Sequence, residues 1–188
     1  MGQLQALDRY LLHKINGVWV CHLLDGVMKM VSNETAIAVA VVLIVLFLGI
    51  RYRGRGAAAA LSGLGAVVLA DLVGSRLLRP LLGHTRPCIS LSDVRVLVEW
   101  GGAYSMPSLH ATNVFAFSTA VATRIPMTGI LLLAGAAIVA YSRVYLGVHW
   151  PSDVLVGALL GTAAGISVSL ATRRLSRAAP GHTTGVGE

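Results

Sequence analysis

Charge is what this chain has least of. Only 12% of its 188 residues are Asp, Glu, Lys or Arg, while 55% are hydrophobic, a balance far more apolar than a soluble domain of this length carries. A soluble domain and an internal repeat are both missing. The N-terminus lacks the basic start, clean apolar run and small-residue cleavage site of a signal peptide. Two cysteines, Cys21 and Cys88, are too few for a disulfide framework, although one bridge between them stays open. The net charge of +7 comes from arginines split over several loops with no stacking aromatics among them, which argues against nucleic acid as a partner.

What the chain has instead is long apolar runs, at residues 35–50, 57–78, 108–123, 127–145 and 154–172. A helix needs about 17–25 mostly apolar residues to cross a bilayer core. The pattern predicts an all-α, polytopic membrane bundle of five spans, one domain over residues 1–177. Residues 1–33 mix Asp8, Arg9, Lys14, Asp25 and Lys29 with apolar side chains, and Leu4, Leu7, Leu11, Leu12 and Ile15 recur at helical spacing. That is the signature of an amphipathic segment lying in the interface. A sixth span through residues 17–31 stays open, although it would carry Asp25 and Lys29. Residues 178–188 show no apolar periodicity and read as a disordered tail.

Loop charge gives the orientation. Five alternating spans put Arg51, Arg53, Arg55, Arg124, Arg173, Arg174 and Arg177 on one side, which the positive-inside tendency makes cytoplasmic, together with the C-terminus. The opposite face, periplasmic or external in a bacterial inner membrane, holds three short polar clusters: RPLLGHTRP (79–87), PSLH (107–110) and SRVYLGVHWPSD (142–153).

Arg79 and Arg86 flank a loop broken by Pro80, Gly83 and Pro87. Their guanidinium groups match phosphate oxygens and stay charged at any working pH, although either one alone would read as a headgroup anchor. Pro107 suits a first helical turn, so the N–H groups of Ser108, Leu109 and His110 can form an anion cradle. Arg143 ends the fourth span, and His149 and Asp153 straddle the start of the fifth. An Asp in a first turn can reach back to an upstream His, fixing its tautomer and raising its basicity. Alone this would be a capping contact, but with three arginines and a second histidine on the same face it reads as a phosphoryl-transfer site. That face has no carboxylate cluster suited to Mg²⁺.

The three clusters resemble the signature of the type 2 phosphatidic acid phosphatase (PAP2) family, KxxxxxxRP, PSGH and SRxxxxxHxxxD, from Arg79 to Asp153. Arg79 stands at the family's Lys and Leu109 at its Gly; neither change removes a catalytic group. The resemblance implies a metal-independent phosphatase with no cofactor. His149 would attack phosphorus to form a phosphohistidine, Asp153 would orient it, and His110 would protonate the leaving oxygen and then activate water. Arg79, Arg86, Arg143, Ser108 and the nearby N–H groups, including those of Leu109 and His110, would hold the phosphate. The implied substrate is a membrane lipid phosphate, foremost undecaprenyl pyrophosphate, with phosphatidylglycerol phosphate, phosphatidic acid and lipid A as alternatives. A vanadium haloperoxidase shares the constellation but not the apolar spans. A non-catalytic phospholipid-binding or transport protein would not need both histidines.

Other residues get plainer readings. Asp71, inside the second span, is expected to pair with Arg76 or support Arg79. His84 reads as a solvated loop residue. Trp19, Trp100, Tyr104, Tyr145 and Trp150 read as an aromatic belt. The loop from residue 88 to 106, with Arg95, Glu99, Trp100, Gly101 and Gly102, is expected to form a substrate-selecting wall.

Overall fold

Two short helices open the chain, α1 (Gln3–Leu12), prolonged by a π-helical turn (His13–Val18), and α2 (His22–Val31). They come from a computed structural model that describes residues 2–178. Ten residues rise only about 15 Å, half a bilayer core, and the backbone breaks between the two helices at Trp19, so residues 17–31 do not form a sixth span. Both helices leave apolar side chains exposed, among them Leu4, Leu7, Leu23 and Met30, as an interfacial segment should. Their other faces turn inward: Leu12 packs against Val144 and Trp150, and Met28 against Tyr145, Leu146 and Val148.

The longest helical stretch is α3 (Glu34–Leu72), which passes through a π-helical turn (Val73–Leu78) into the one-turn α4 (Arg79–Leu82). It is not straight. Arg53, at φ 49° and ψ −130°, reverses the chain, and Leu48, Val41 and Ile44 of the first arm share a core with Ala59, Ala60 and Val67 of the second. Gly56 permits the reversal, since a Cβ there would stand 1.8 Å from the carbonyl oxygen of Leu48. The two arms are the first two expected spans. After a one-turn α5 (Pro87–Ser90) and a long loop come α6 (Leu109–Arg124), α7 (Pro126–Tyr145) and α8 (Pro151–Ala178).

The protein is a multi-pass, all-helical membrane protein, and residues 34–82, 126–145 and 151–176 are long and apolar enough to cross. The expected third span, α6, is also the most enclosed helix. Its 16 residues rise about 24 Å, and Ala111, Thr112, Ala116, Ala120 and Val121 are fully buried. It is the central post around which α3, α7 and α8 pack.

Small residues make that packing tight. Gly157, Gly161 and Gly165 recur every fourth residue on α8, and a Cβ at Gly161 would stand 2.2 Å from the carbonyl oxygen of Thr112 on α6. Backbone approaches this close are how membrane helices gain van der Waals contact where lipid offers no hydrophobic drive. Ala66, Ala70, Ala116, Ala120 and Ala164 extend the small-residue layer across α3, α6 and α8. The same packing presses the N-termini of α6 and α8 together, and the Ser108 N–H donates to the Asp153 carbonyl at 3.1 Å. Residues 179–188, and with them the expected disordered tail, lie outside the described residues.

Candidate active site

At the joined ends of α6 and α8, side chains from six parts of the chain converge. Arg86 is the most firmly held. Only 3% exposed, it donates from Nε to the Gly102 carbonyl at 2.9 Å, from Nη2 to Gly101 at 3.0 Å and from Nη1 to Val148 at 2.8 Å. Nη1 also lies 3.2 Å from His149 Nε2. Guanidinium has no acceptor, so Nε2 must present its lone pair, and the proton of a neutral ring sits on Nδ1. Burial, then the charge of Arg79, lowers the Arg86 pKa.

His149 lies in the tight connection between α7 and α8 and is 1% exposed. Burial drives its ring pKa down to about 4, against the opposing pull of Asp153. It is therefore neutral at physiological pH, with the Nε2 lone pair available. Nδ1 stands 3.5 Å from Asp153 Oδ2, longer than a normal hydrogen bond, and is left without a partner. Asp153, fully buried, accepts from the Trp150 N–H at Oδ2 and meets His84 Nδ1 at Oδ1, each at 2.8 Å. Asp153 is thus a helix cap and a neighbour of His149 at once.

Arg143 reaches the site from the last turn of α7, buried, with Nη1 on the Ser32 hydroxyl and Nε without a partner. His110, in the first turn of α6, donates Nε2–H to the Ser32 carbonyl at 3.2 Å. This leaves Nδ1 free to exchange a proton. Arg79 is looser, half-buried, its one contact running from Nε to the Pro107 carbonyl at 3.3 Å. Ser108 Oγ is fully buried and unpartnered. The expected cradle of Ser108, Leu109 and His110 needs one correction: the Ser108 N–H is spent on Asp153, which leaves the N–H groups of Leu109 and His110, neither with an intrahelical acceptor. The eight expected positions of the site therefore lie at one place in the structure.

Several other expectations are overturned. Trp150 and Tyr145 are no belt residues. Trp150 is 6% exposed and donates Nε1–H to the Thr85 carbonyl, while Tyr145 is fully buried and donates its hydroxyl to Asp25. Asp71 forms no ion pair with Arg76 or Arg79 but accepts from Asn113 Nδ2 at 3.0 Å, and its charge supports the Arg79 guanidinium from a distance. His84 is not a solvated loop residue, since its ring is bonded to buried Asp153. The 88–106 loop is scaffold as much as wall: Gly101 and Gly102 hold Arg86, and Arg95 is tied to Asp25 and to Asn16. Tyr145 and Arg95 together hold the Asp25 carboxyl below the usual range. Both cysteines are free.

Two residues that no local pattern singles out complete the frame. Ser32 bridges Arg143 and His110. Asp8 of α1 accepts the Ser152 N–H at 2.9 Å and its hydroxyl at 2.5 Å, which caps α8 from the interfacial segment. Below the site a cavity of about 840 Å³ opens between the arms of α3, α6 and α7. Its walls include Ile37, Val41, Ile44, Val67, Phe117 and Leu132, and Glu34, Asp71, His110 and Asn113 stand at the site end. Among the described residues no three His, Cys, Asp or Glu side chains converge as a metal site requires.

The model of the PAP2 superfamily matches residues 59–177. The lipid A 4'-phosphatase of Bacteroides thetaiotaomicron is 32% identical over 102 residues, 50% of this chain and 45% of that protein. The undecaprenyl-diphosphatase of Sulfolobus acidocaldarius is 39% identical over 82 residues, 43% and 40% of the two chains. The chain spans about half the length of the curated relatives it matches. In fold it is similar to the crystal structure of a transmembrane PAP2 type phosphatidylglycerolphosphate phosphatase from Bacillus subtilis, with a TM-score of 0.70 at 22% identity, over 94% of this chain and 90% of that one.

Proposed function

Since the chain belongs to the PAP2 superfamily, we propose that it is a membrane lipid phosphatase that removes a terminal phosphate through a phosphohistidine on His149, without metal or cofactor. The observation that carries this reading is a set of polar atoms buried with nothing to bond: Ser108 Oγ, Arg143 Nε and His149 Nδ1. Buried polar groups are otherwise nearly always satisfied. Here they surround the place where Arg79, Arg86, Arg143 and the N–H groups of Leu109 and His110 offer donors to an anion.

In the proposed reaction a phosphate group displaces Arg86 from the His149 lone pair, and Nε2 attacks phosphorus as the bond to the lipid oxygen breaks. His110 Nδ1, protonated on substrate binding, gives its proton to that oxygen, then takes one from the water that hydrolyses the phosphohistidine. Arg79, Arg86 and Arg143 offset the charge that shifts among the phosphate oxygens. Asp153 orients His149.

The cavity supports a substrate whose phosphate stays at the interface while its tail lies among α3, α6 and α7. We take undecaprenyl pyrophosphate as that substrate. Phosphatidylglycerol phosphate, phosphatidic acid and lipid A are the competing readings. Residues 1–177 are taken as one phosphatase domain in a bacterial inner membrane, with the site facing the periplasm or outside and the C-terminus cytoplasmic. The test is phosphate release from a panel of these lipids in detergent with EDTA present, with His149→Ala and His149→Asn as controls. Turnover of undecaprenyl pyrophosphate that both variants abolish is expected. Activity retained above a few per cent in either variant would overturn the phosphohistidine, and loss of wild-type activity on EDTA addition would overturn metal independence.

A further inference from the structure

The best-made contact of the buried Asp153 carboxylate is not with His149. Its Oδ1 lies 2.8 Å from His84 Nδ1, whereas His149 Nδ1 is 3.5 Å from Oδ2. We propose that His84 is a positioning residue: its Nδ1–H holds Oδ1 of Asp153, the Trp150 N–H holds Oδ2, and the carboxylate is thereby kept turned toward His149. This rests on the phosphoryl-transfer reading above.

The geometry around His84 is built for that task. Its carbonyl accepts the Ser105 N–H at 2.7 Å and the Ser105 hydroxyl at 2.9 Å. Its ring lies against that of Trp150, centroids 6.2 Å apart, and Trp150 is itself tied to the Thr85 carbonyl. The backbone and one ring face are therefore fixed, while about a third of the side chain stays exposed. An ionised carboxylate only accepts, so His84 must carry its proton on Nδ1. Without that donor, Oδ1 would be buried and unpaired and the carboxylate free to turn about its Cβ–Cγ bond.

The nitrogen position gives a sharp test. Asn places its amide nitrogen as many bonds from Cα as His places Nδ1, whereas Gln places it one bond further, as Nε2 is. With undecaprenyl pyrophosphate in detergent, His84→Gln is expected to lower kcat about tenfold with KM within twofold, and His84→Asn to keep at least a third of wild-type kcat. In an Asp153→Asn background, His84→Gln should change kcat less than twofold, because the carboxylate it serves is gone. Unchanged kcat in His84→Gln, a rise confined to KM, or effects that multiply in the double variant would each overturn the proposal.

A readout independent of turnover separates this proposal from the function itself. In histidine-labelled protein, the His149 ring resonances, assigned by their loss in His149→Asn, should move in His84→Gln and stay in place in His84→Asn. Absence of that movement in His84→Gln overturns the positioning role even if the wild type hydrolyses no lipid tested. Should His84→Gln fail to give a monodisperse peak, His84→Ala against His84→Asn carries the same comparison.

Discussion

Arg86→Lys keeps a positive charge and removes a shape, so it tests what the arginines of this site are for. Three separate nitrogens of Arg86 serve the carbonyls of Gly102, Gly101 and Val148. A Lys ammonium is a single nitrogen on a flexible stem and can stand close to only one or two of those oxygens. The substitution therefore removes one or two hydrogen bonds from a charged donor, each about 1.5–3 kcal/mol, and leaves carbonyls unpaired beside a residue only 3% exposed. If one such bond is felt in full in the transition state, the loss is at least about 1.4 kcal/mol, a tenfold fall in kcat/KM.

Arg79 provides the contrast. It makes one long contact, 3.3 Å to the Pro107 carbonyl, and Arg79→Lys forfeits at most that bond, about 1 kcal/mol or roughly fivefold. The assay is phosphate release from undecaprenyl pyrophosphate at matched detergent and lipid mole fraction, since surface dilution otherwise imitates a change in KM. Arg86→Lys is expected at one tenth of wild-type kcat/KM or less, with Arg79→Lys within fivefold of wild type. Equal tolerance at the two positions would refute the reasoning: the arginines would then supply only diffuse charge, and the clamp would fall to Ser108 and the N–H groups of Leu109 and His110.

The remaining predictions concern charge state, packing and orientation. Because burial lowers the His149 pKa from 6.5 to about 4, the attacking ring is neutral above that value, and the acid limb of the kcat/KM profile should lie near pH 4; a limb near 6.5 would mean the ring is solvated in the free protein. Gly161→Leu should abolish a monodisperse, heat-resistant species in detergent, because its Cβ would collide with the Thr112 carbonyl, whereas Gly49→Ala, with open space around it, should leave the melting temperature within a few degrees. Asp8→Ala removes the cap on α8 and should cost about 1–2 kcal/mol, read as a lowered melting temperature. A single cysteine at exposed Ser92, with Cys21 and Cys88 replaced, should react with an impermeant reagent from outside the cell; labelling only after the inner membrane is opened would reverse the proposed orientation.

What the sequence revealed and what it concealed divide along a physical line. Arg86, His110, Arg143, His149 and Asp153 were legible because helix ends in an apolar chain carry polar groups only where those groups have work, and each stands at such an end. The small-residue layer is equally readable, since Gly157, Gly161 and Gly165 mark one face of α8 at every fourth residue, but hydropathy finds spans and is blind to how closely they approach. His84 and Ser32 are of a third kind. His84 lies 69 positions from Asp153 and Ser32 111 from Arg143, and nothing in the local pattern of a loop histidine or a helix-ending serine distinguishes one that meets a buried partner from one that meets water. Trp150 shows the same limit from the other side, because a tryptophan beside a span fits the membrane interface by composition, and only α1, the end of α7 and the loop at Leu91 and Val94 close around it. The backbone contact from Ser108 to Asp153 joins the ends of α6 and α8 at the carboxylate that His84 meets. A change deep in the α6–α8 seam should therefore disturb the His84–Asp153–His149 geometry before it unfolds the bundle.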